Sequence, residues 1–165
     1  MANPIIRGFR SLTVFSGRDR RGQFWPYAGV VVALIYVFSG IAGVLAMGSM
    51  LTGTEVMPDF TAFFAVIAGT LLISIVLLAA AVSRRLHDTG KSALFGLMPV
   101  PFIVIYCAVF PAMMQDMMVA EEPDAGLFIL AGISNLLYFA ALITLIVLLC
   151  LKGTNGPNRF GDEPV

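Results

Sequence analysis

Four long stretches of this chain contain no Asp, Glu, Lys, Arg or His: Tyr27 to Leu51, Phe60 to Val82, Ala93 to Phe110 and Gly126 to Leu151. A hydrocarbon layer about 30 Å thick is crossed by about 20 helical residues. Lipid offers no hydrogen bonds to a peptide group, so such runs are expected to be helices that satisfy their own backbone. The sequence therefore predicts an all-α integral membrane bundle of four transmembrane helices. Residues 25–51, 60–82, 92–110 and 126–151 form the spans of a single domain over 1–165. Composition agrees: 59% of residues are hydrophobic and 12% charged, against roughly 45–50% and 25% in soluble domains.

The charges fix an expected orientation. Arg7, Arg10, Arg18, Arg20 and Arg21 precede the first span, Arg84, Arg85 and Lys91 lie between the second and third, and Lys152 and Arg159 follow the fourth. The two other connections carry only acids: Glu55 and Asp59, then Asp116, Glu121, Glu122 and Asp124. In a four-span chain all ten basic residues thus fall on one side. Lys and Arg are retained inside, so both termini are expected in the cytoplasm. Dropping the short third span, with its Pro99 and Pro101, would mix acidic and basic loops.

Residues 1–24 are expected at the cytoplasmic interface and 152–165 as a cytoplasmic tail. Met1 to Gly22 lacks the apolar centre of a signal peptide. Asn3 can cap a short amphipathic helix over 3–13 with Pro4 in its first turn and Ile5, Phe9 and Leu12 on one face. Such a helix is expected to lie on the inner leaflet. Phe24, Trp25 and Tyr27 are placed as interfacial anchors of the first span. Gly90 can end the second helix in a left-handed cap, and Ser92 can begin the next.

Three segments carry a family resemblance. They are Phe15-Ser16-Gly17-Arg18-Asp19-Arg20-Arg21-Gly22-Gln23-Phe24-Trp25, then Arg84-Arg85-Leu86-His87-Asp88-Thr89-Gly90-Lys91-Ser92, and finally Gly153-Thr154-Asn155-Gly156-Pro157-Asn158-Arg159-Phe160-Gly161. In that order around four spans they resemble a bacterial inner-membrane family known as domain of unknown function 805, over about Val14 to Pro164. Ala93, Leu94 and Phe160 depart from the family's usual Gly, Trp and Tyr. The resemblance implies a small multi-pass membrane protein and no established reaction, substrate or cofactor.

On one face these segments would bring together Arg18, Arg21, Arg84, Arg85, His87, Asp88, Lys91 and Arg159, candidates for binding an anion or a lipid headgroup. Guanidinium groups grip phosphate and carboxylate through paired N–H donors, and anionic headgroups are the natural ligands. The plainer expectation is that they hold the loops inside and pair locally, with Asp88 fixing Arg18 or Arg21. A catalytic or metal role for His87-Asp88 would need further histidines, and the chain has one. Seven methionines gather toward the outer side, Met47, Met50, Met57, Met113, Met114, Met117 and Met118. Thioethers suit Cu(I) but equally fill apolar gaps. Cys107 and Cys150 are placed too far apart to pair. No metal, cofactor or nucleic acid is expected.

Pro99 and Pro101 would either break the third span, as in transporters, or kink it. Asn135, Ser74, Thr70 and Thr144 are read as helix–helix hydrogen-bonding groups. Ser39, Gly40, Gly43 and Gly48, and the pair Ala65 and Gly69, allow close packing within the monomer or in a homo-oligomer. The function expected is non-enzymatic: a basic cytoplasmic face meeting membrane lipids with anionic headgroups, or a membrane protein partner. A small transporter or channel-like component is the alternative, and a membrane enzyme acting on a phosphorylated lipid the third.

Overall fold

A computed structural model of the chain describes residues 3–46, Gly48 and residues 60–164. Among them every regular element is helical: α1 (Pro4–Arg10), α2 (Arg21–Ala46), α3 (Phe60–Asp88), a 3-10 turn (Ala93–Leu97), α4 (Val100–Val119) and α5 (Ala125–Cys150). Four segments are long and apolar enough to cross a membrane, Arg21–Leu45, Ala65–Asp88, Ala93–Val119 and Ala125–Cys150. Helix α2 packs along α3 and α4 along α5, so the chain forms two helical hairpins, joined through smaller contacts of α3 with α4 and α5.

The helices show large apolar side chains on their outer surfaces. Tyr36, Phe38 and Leu45 of α2 and Leu136 and Ile143 of α5 are more than half exposed. A water-soluble monomer rarely tolerates a continuous surface of this kind, whereas lipid tails are as apolar as the side chains they would meet. The buried core lies instead toward the end of the bundle that carries the arginines, here called the basic end. Phe24, Tyr27, Ala28 and Val31 of α2 meet Ala81 and Leu86 of α3 and Leu145 and Leu149 of α5 there.

Local signals account for the helix ends. The Asn3 side chain accepts a hydrogen bond from the Ile5 N–H at 3.0 Å, with Pro4 opening α1. Helix α1 packs on α2 at Gly8, where a Cβ would come within 2.2 Å of the Tyr27 ring. Phe9 meets the same ring edge-on, and Leu12 packs against the core. Ile6 and Phe9 remain exposed. At the end of α3, Gly90 adopts φ +74° and the Lys91 N–H donates to the Leu86 carbonyl, a left-handed cap. The Ser92 hydroxyl then caps the 3-10 turn through the Leu94 N–H.

Several expectations are corrected. Helix α3 continues beyond the apolar run that ends at Val82 and reaches Asp88, just before the Gly90 cap, so Arg84, Arg85, His87 and Asp88 stand on its last turns. Pro99 and Pro101 do not break a span at mid-depth. Pro99 precedes α4 and Pro101 lies in its first turn, where a missing N–H costs nothing. Helix α4 runs past Phe110 to Val119 and carries Met113, Met114, Met117 and Met118, with Pro111 inside it. Met47, Met50, Met57, Glu55 and Asp59 lie outside the described residues. Of the three proposed anchors only Trp25 is exposed; Phe24 and Tyr27 are buried, and the Tyr27 hydroxyl donates to the Leu77 carbonyl at 2.7 Å. The hydroxyls of Thr70, Ser74 and Thr144, expected to bond across helices, donate to carbonyls of their own helices, Val66, Leu71 and Ala140.

Candidate functional site: a buried arginine–aspartate clamp

The three arginine-bearing segments meet at the basic end, and two carboxylates organise them. The last turns of α3 present Arg84, Arg85 and Asp88 toward the chain on either side. The Asp88 Oδ1 accepts from Arg18 Nε at 3.2 Å and Nη2 at 3.1 Å, and its Oδ2 accepts from Arg85 Nη1. Asp19 mirrors it. Its Oδ2 accepts from Arg84 Nε at 2.7 Å, and its Oδ1 pairs with Arg7 Nη2 at 2.8 Å. The side chains of Arg18, Arg84, Arg85, Asp19 and Asp88 are almost wholly removed from solvent.

The remaining guanidinium donors hold backbone carbonyls, and each arginine thereby ties one segment down. Arg18 holds the tail: its Nη1 donates to the Gly156 carbonyl at 2.7 Å, its Nη2 to the Thr154 carbonyl at 2.6 Å. Arg84 holds the N-terminal segment through the carbonyls of Ser11 and Val14. Arg85 donates to the Leu149 carbonyl at 2.9 Å and to the Leu151 carbonyl. Those are carbonyls left without helical partners at the end of α5. The buried set holds three arginines and two aspartates, and the partial negative charge at that helix end lies beside the cation in excess.

A second layer covers the clamp. The His87 ring stacks on Phe160, centroids 3.9 Å apart and planes 7° from parallel. Its Nδ1 is 3.2 Å from the Gly17 carbonyl, so the proton on that nitrogen is the one donated. Asn158 Nδ2 donates to the His87 carbonyl at 3.0 Å, and Thr154 N–H to the Asp88 carbonyl at 2.8 Å. The Arg159 guanidinium lies over the other part of this stack, 4.6 Å from the Phe160 centroid.

The eight candidate residues thus divide. Arg18, Arg84, Arg85 and Asp88 are buried and bound to one another or to the backbone. His87 and Lys91 are half-buried, while Arg21 and Arg159 are exposed, as are Arg10, Arg20 and Lys152. Asp88 pairs with Arg18 and Arg85 rather than Arg21. Sequence reasoning missed Asp19, Arg7, Thr154 and Asn158. The excess of arginine over acid before the first span was the signal that could have singled out Asp19. Among the described residues no group of three or more His, Cys, Asp or Glu side chains could hold a metal ion.

Beside the clamp, a cavity of about 360 Å³ runs between α3, the 3-10 turn, α4 and α5. Leu78, Val82, Leu97, Ile103 and Leu142 are among the aliphatic side chains that wall it.

A family model described as protein of unknown function (DUF805) matches residues 12–162, which include all three arginine-bearing segments. No curated protein and no solved structure matches the chain.

Proposed function

The chain belongs to the DUF805 family of proteins of unknown function, and from that premise we propose a non-enzymatic multi-pass protein of the bacterial inner membrane whose basic cytoplasmic face meets anionic lipid headgroups. The observation that carries this reading is the division of the arginines. Arg18, Arg84 and Arg85 are buried and donate to Asp19, Asp88 and backbone carbonyls within the fold, so the clamp builds the face and the outward cations meet the ligand. Arg20, Arg21 and Arg159 are exposed around it. Each cation near an anionic leaflet contributes about 1 kcal/mol. The distribution of Lys and Arg supports a cytoplasmic position for this end. The aliphatic wall of the cavity favours contact with lipid over passage of ions.

The test uses the protein reconstituted in vesicles of phosphatidylethanolamine and phosphatidylglycerol. The triple substitution Arg20→Gln, Arg21→Gln and Arg159→Gln removes three such contributions and is expected to lower the preference for spin-labelled phosphatidylglycerol about a hundredfold. An unchanged preference in folded protein would refute the reading and point to a protein partner for this face.

A further inference from the structure

We propose that the cavity between α3 and α5 is a binding groove for one acyl chain of an anionic phospholipid whose headgroup lies at Lys91. The inference rests on the headgroup reading above and gives it a defined site. Along α3 the groove extends from Ser83 to Leu71, about 18 Å at 1.5 Å per residue. Phe15 and Ser83 place one end at the level of the clamp, and the other end lies deep among the spans.

The chemistry of the walls selects hydrocarbon. Two of the polar groups on the lining, Ser74 and Ser83, already donate to the carbonyls of Leu71 and Phe15. A water placed here would find few partners, and ordered water needs two to four. About 360 Å³ spread along about 18 Å of α3 makes a long, narrow space. A single alkyl chain has the required slenderness.

The groove is also preformed. The 3-10 turn that roofs it is seated on α3 at Gly96, where a Cβ would stand 3.0 Å from Val82 Cγ1 and 3.7 Å from Leu86 Cδ1. Ala93 and Leu94 of this turn line the cavity. Lys91 precedes Ala93 by two residues, so their Cα atoms are at most about 7 Å apart. The Lys91 ammonium lies 5.9 Å from the Phe95 ring centroid. Lys91 thus stands two residues from the wall of the groove, at the end of the 3-10 turn nearer the clamp.

Native mass spectrometry after extraction from vesicles equimolar in phosphatidylethanolamine and phosphatidylglycerol tests the proposal. The wild-type chain is expected to keep one phosphatidylglycerol. Ala79→Trp and Leu142→Trp fill the groove from α3 and α5, and each is expected to reduce that retained lipid about tenfold, the effect of excluding two methylene groups. Lys91→Gln is expected to leave the groove occupied and reduce the choice of phosphatidylglycerol over phosphatidylethanolamine about fivefold. Retention unchanged in both tryptophan variants, with helicity intact, overturns the groove. Retention of a neutral lipid or a free fatty acid by the wild type overturns the anionic occupant. If the triple arginine variant keeps its preference for the anionic lipid while the tryptophan variants lose theirs, the groove stands and the broader headgroup reading falls.

Discussion

Replacing Asp88 by Asn is expected to destabilise the folded protein by about 3–5 kcal/mol, the effect of removing one partner from a buried ion pair. The carboxylate is bound on one oxygen by Arg18 and on the other by Arg85, and both guanidinium groups are almost fully enclosed. Asn keeps the shape but loses the charge, and turns an amide NH₂ toward one set of donors. Two buried cations then share no counter-ion except the more distant Asp19. The loss spreads because Arg18 carries the tail and Arg85 carries the end of α5. Denaturant unfolding in detergent, followed by helicity, measures it. Asp162→Asn, on the exposed tail, serves as the control and is expected to change stability by less than about 0.5 kcal/mol. Equal stability of the two variants would mean that Asp88 does not organise the basic end.

Gly153→Ala is the second large effect, about 2–4 kcal/mol from overpacking and the hydrogen bonds lost with it. An added Cβ would stand 2.2 Å from Asp88 Oδ2 and 2.7 Å from its Cγ. Asp88 cannot yield without releasing Arg18 or Arg85, so the tail must move instead. The Thr154 N–H then leaves the Asp88 carbonyl, and Arg18 loses the carbonyls of Thr154 and Gly156. Hydrogen exchange at the Thr154 amide reads this directly. It should accelerate strongly in Gly153→Ala and stay slow in Gly132→Ala, whose added methyl meets nothing within 4 Å. Slow exchange in both variants would show that the tail is not held through this contact.

Much of the architecture was legible because the solvent of a membrane protein imposes one rule on every residue of a span. Uncharged length alone located α2 to α5, and the left-handed Gly90 and the Asn3 cap followed from local backbone needs. What composition could not supply was direction. Tyr27 has the chemistry of an interfacial anchor, yet α1 folds back and covers it, because Gly8 leaves room for its ring. Arg84 and Arg85 look like flanking charges, yet the final turns of α3 continue past the apolar run and point them inward. Once buried, a guanidinium needs acceptors at every N–H, and those acceptors come from Ser11, Leu149, Thr154 and Gly156, far apart in sequence. Carbonyl acceptors carry no residue signature, so the clamp could be suspected from its arginines but not drawn.

The side of the membrane on which the clamp lies decides whether its outward cations meet an anionic leaflet. In a background with Cys107→Ser and Cys150→Ser, a cysteine placed at Glu121, between α4 and α5, is expected to react with a membrane-impermeant maleimide in intact cells. A cysteine at Asp162 in the tail is expected to react only after the cells are opened. Labelling of the Asp162 site from outside, with the Glu121 site protected until lysis, would reverse the bundle and remove the headgroup contact on which the proposed function depends.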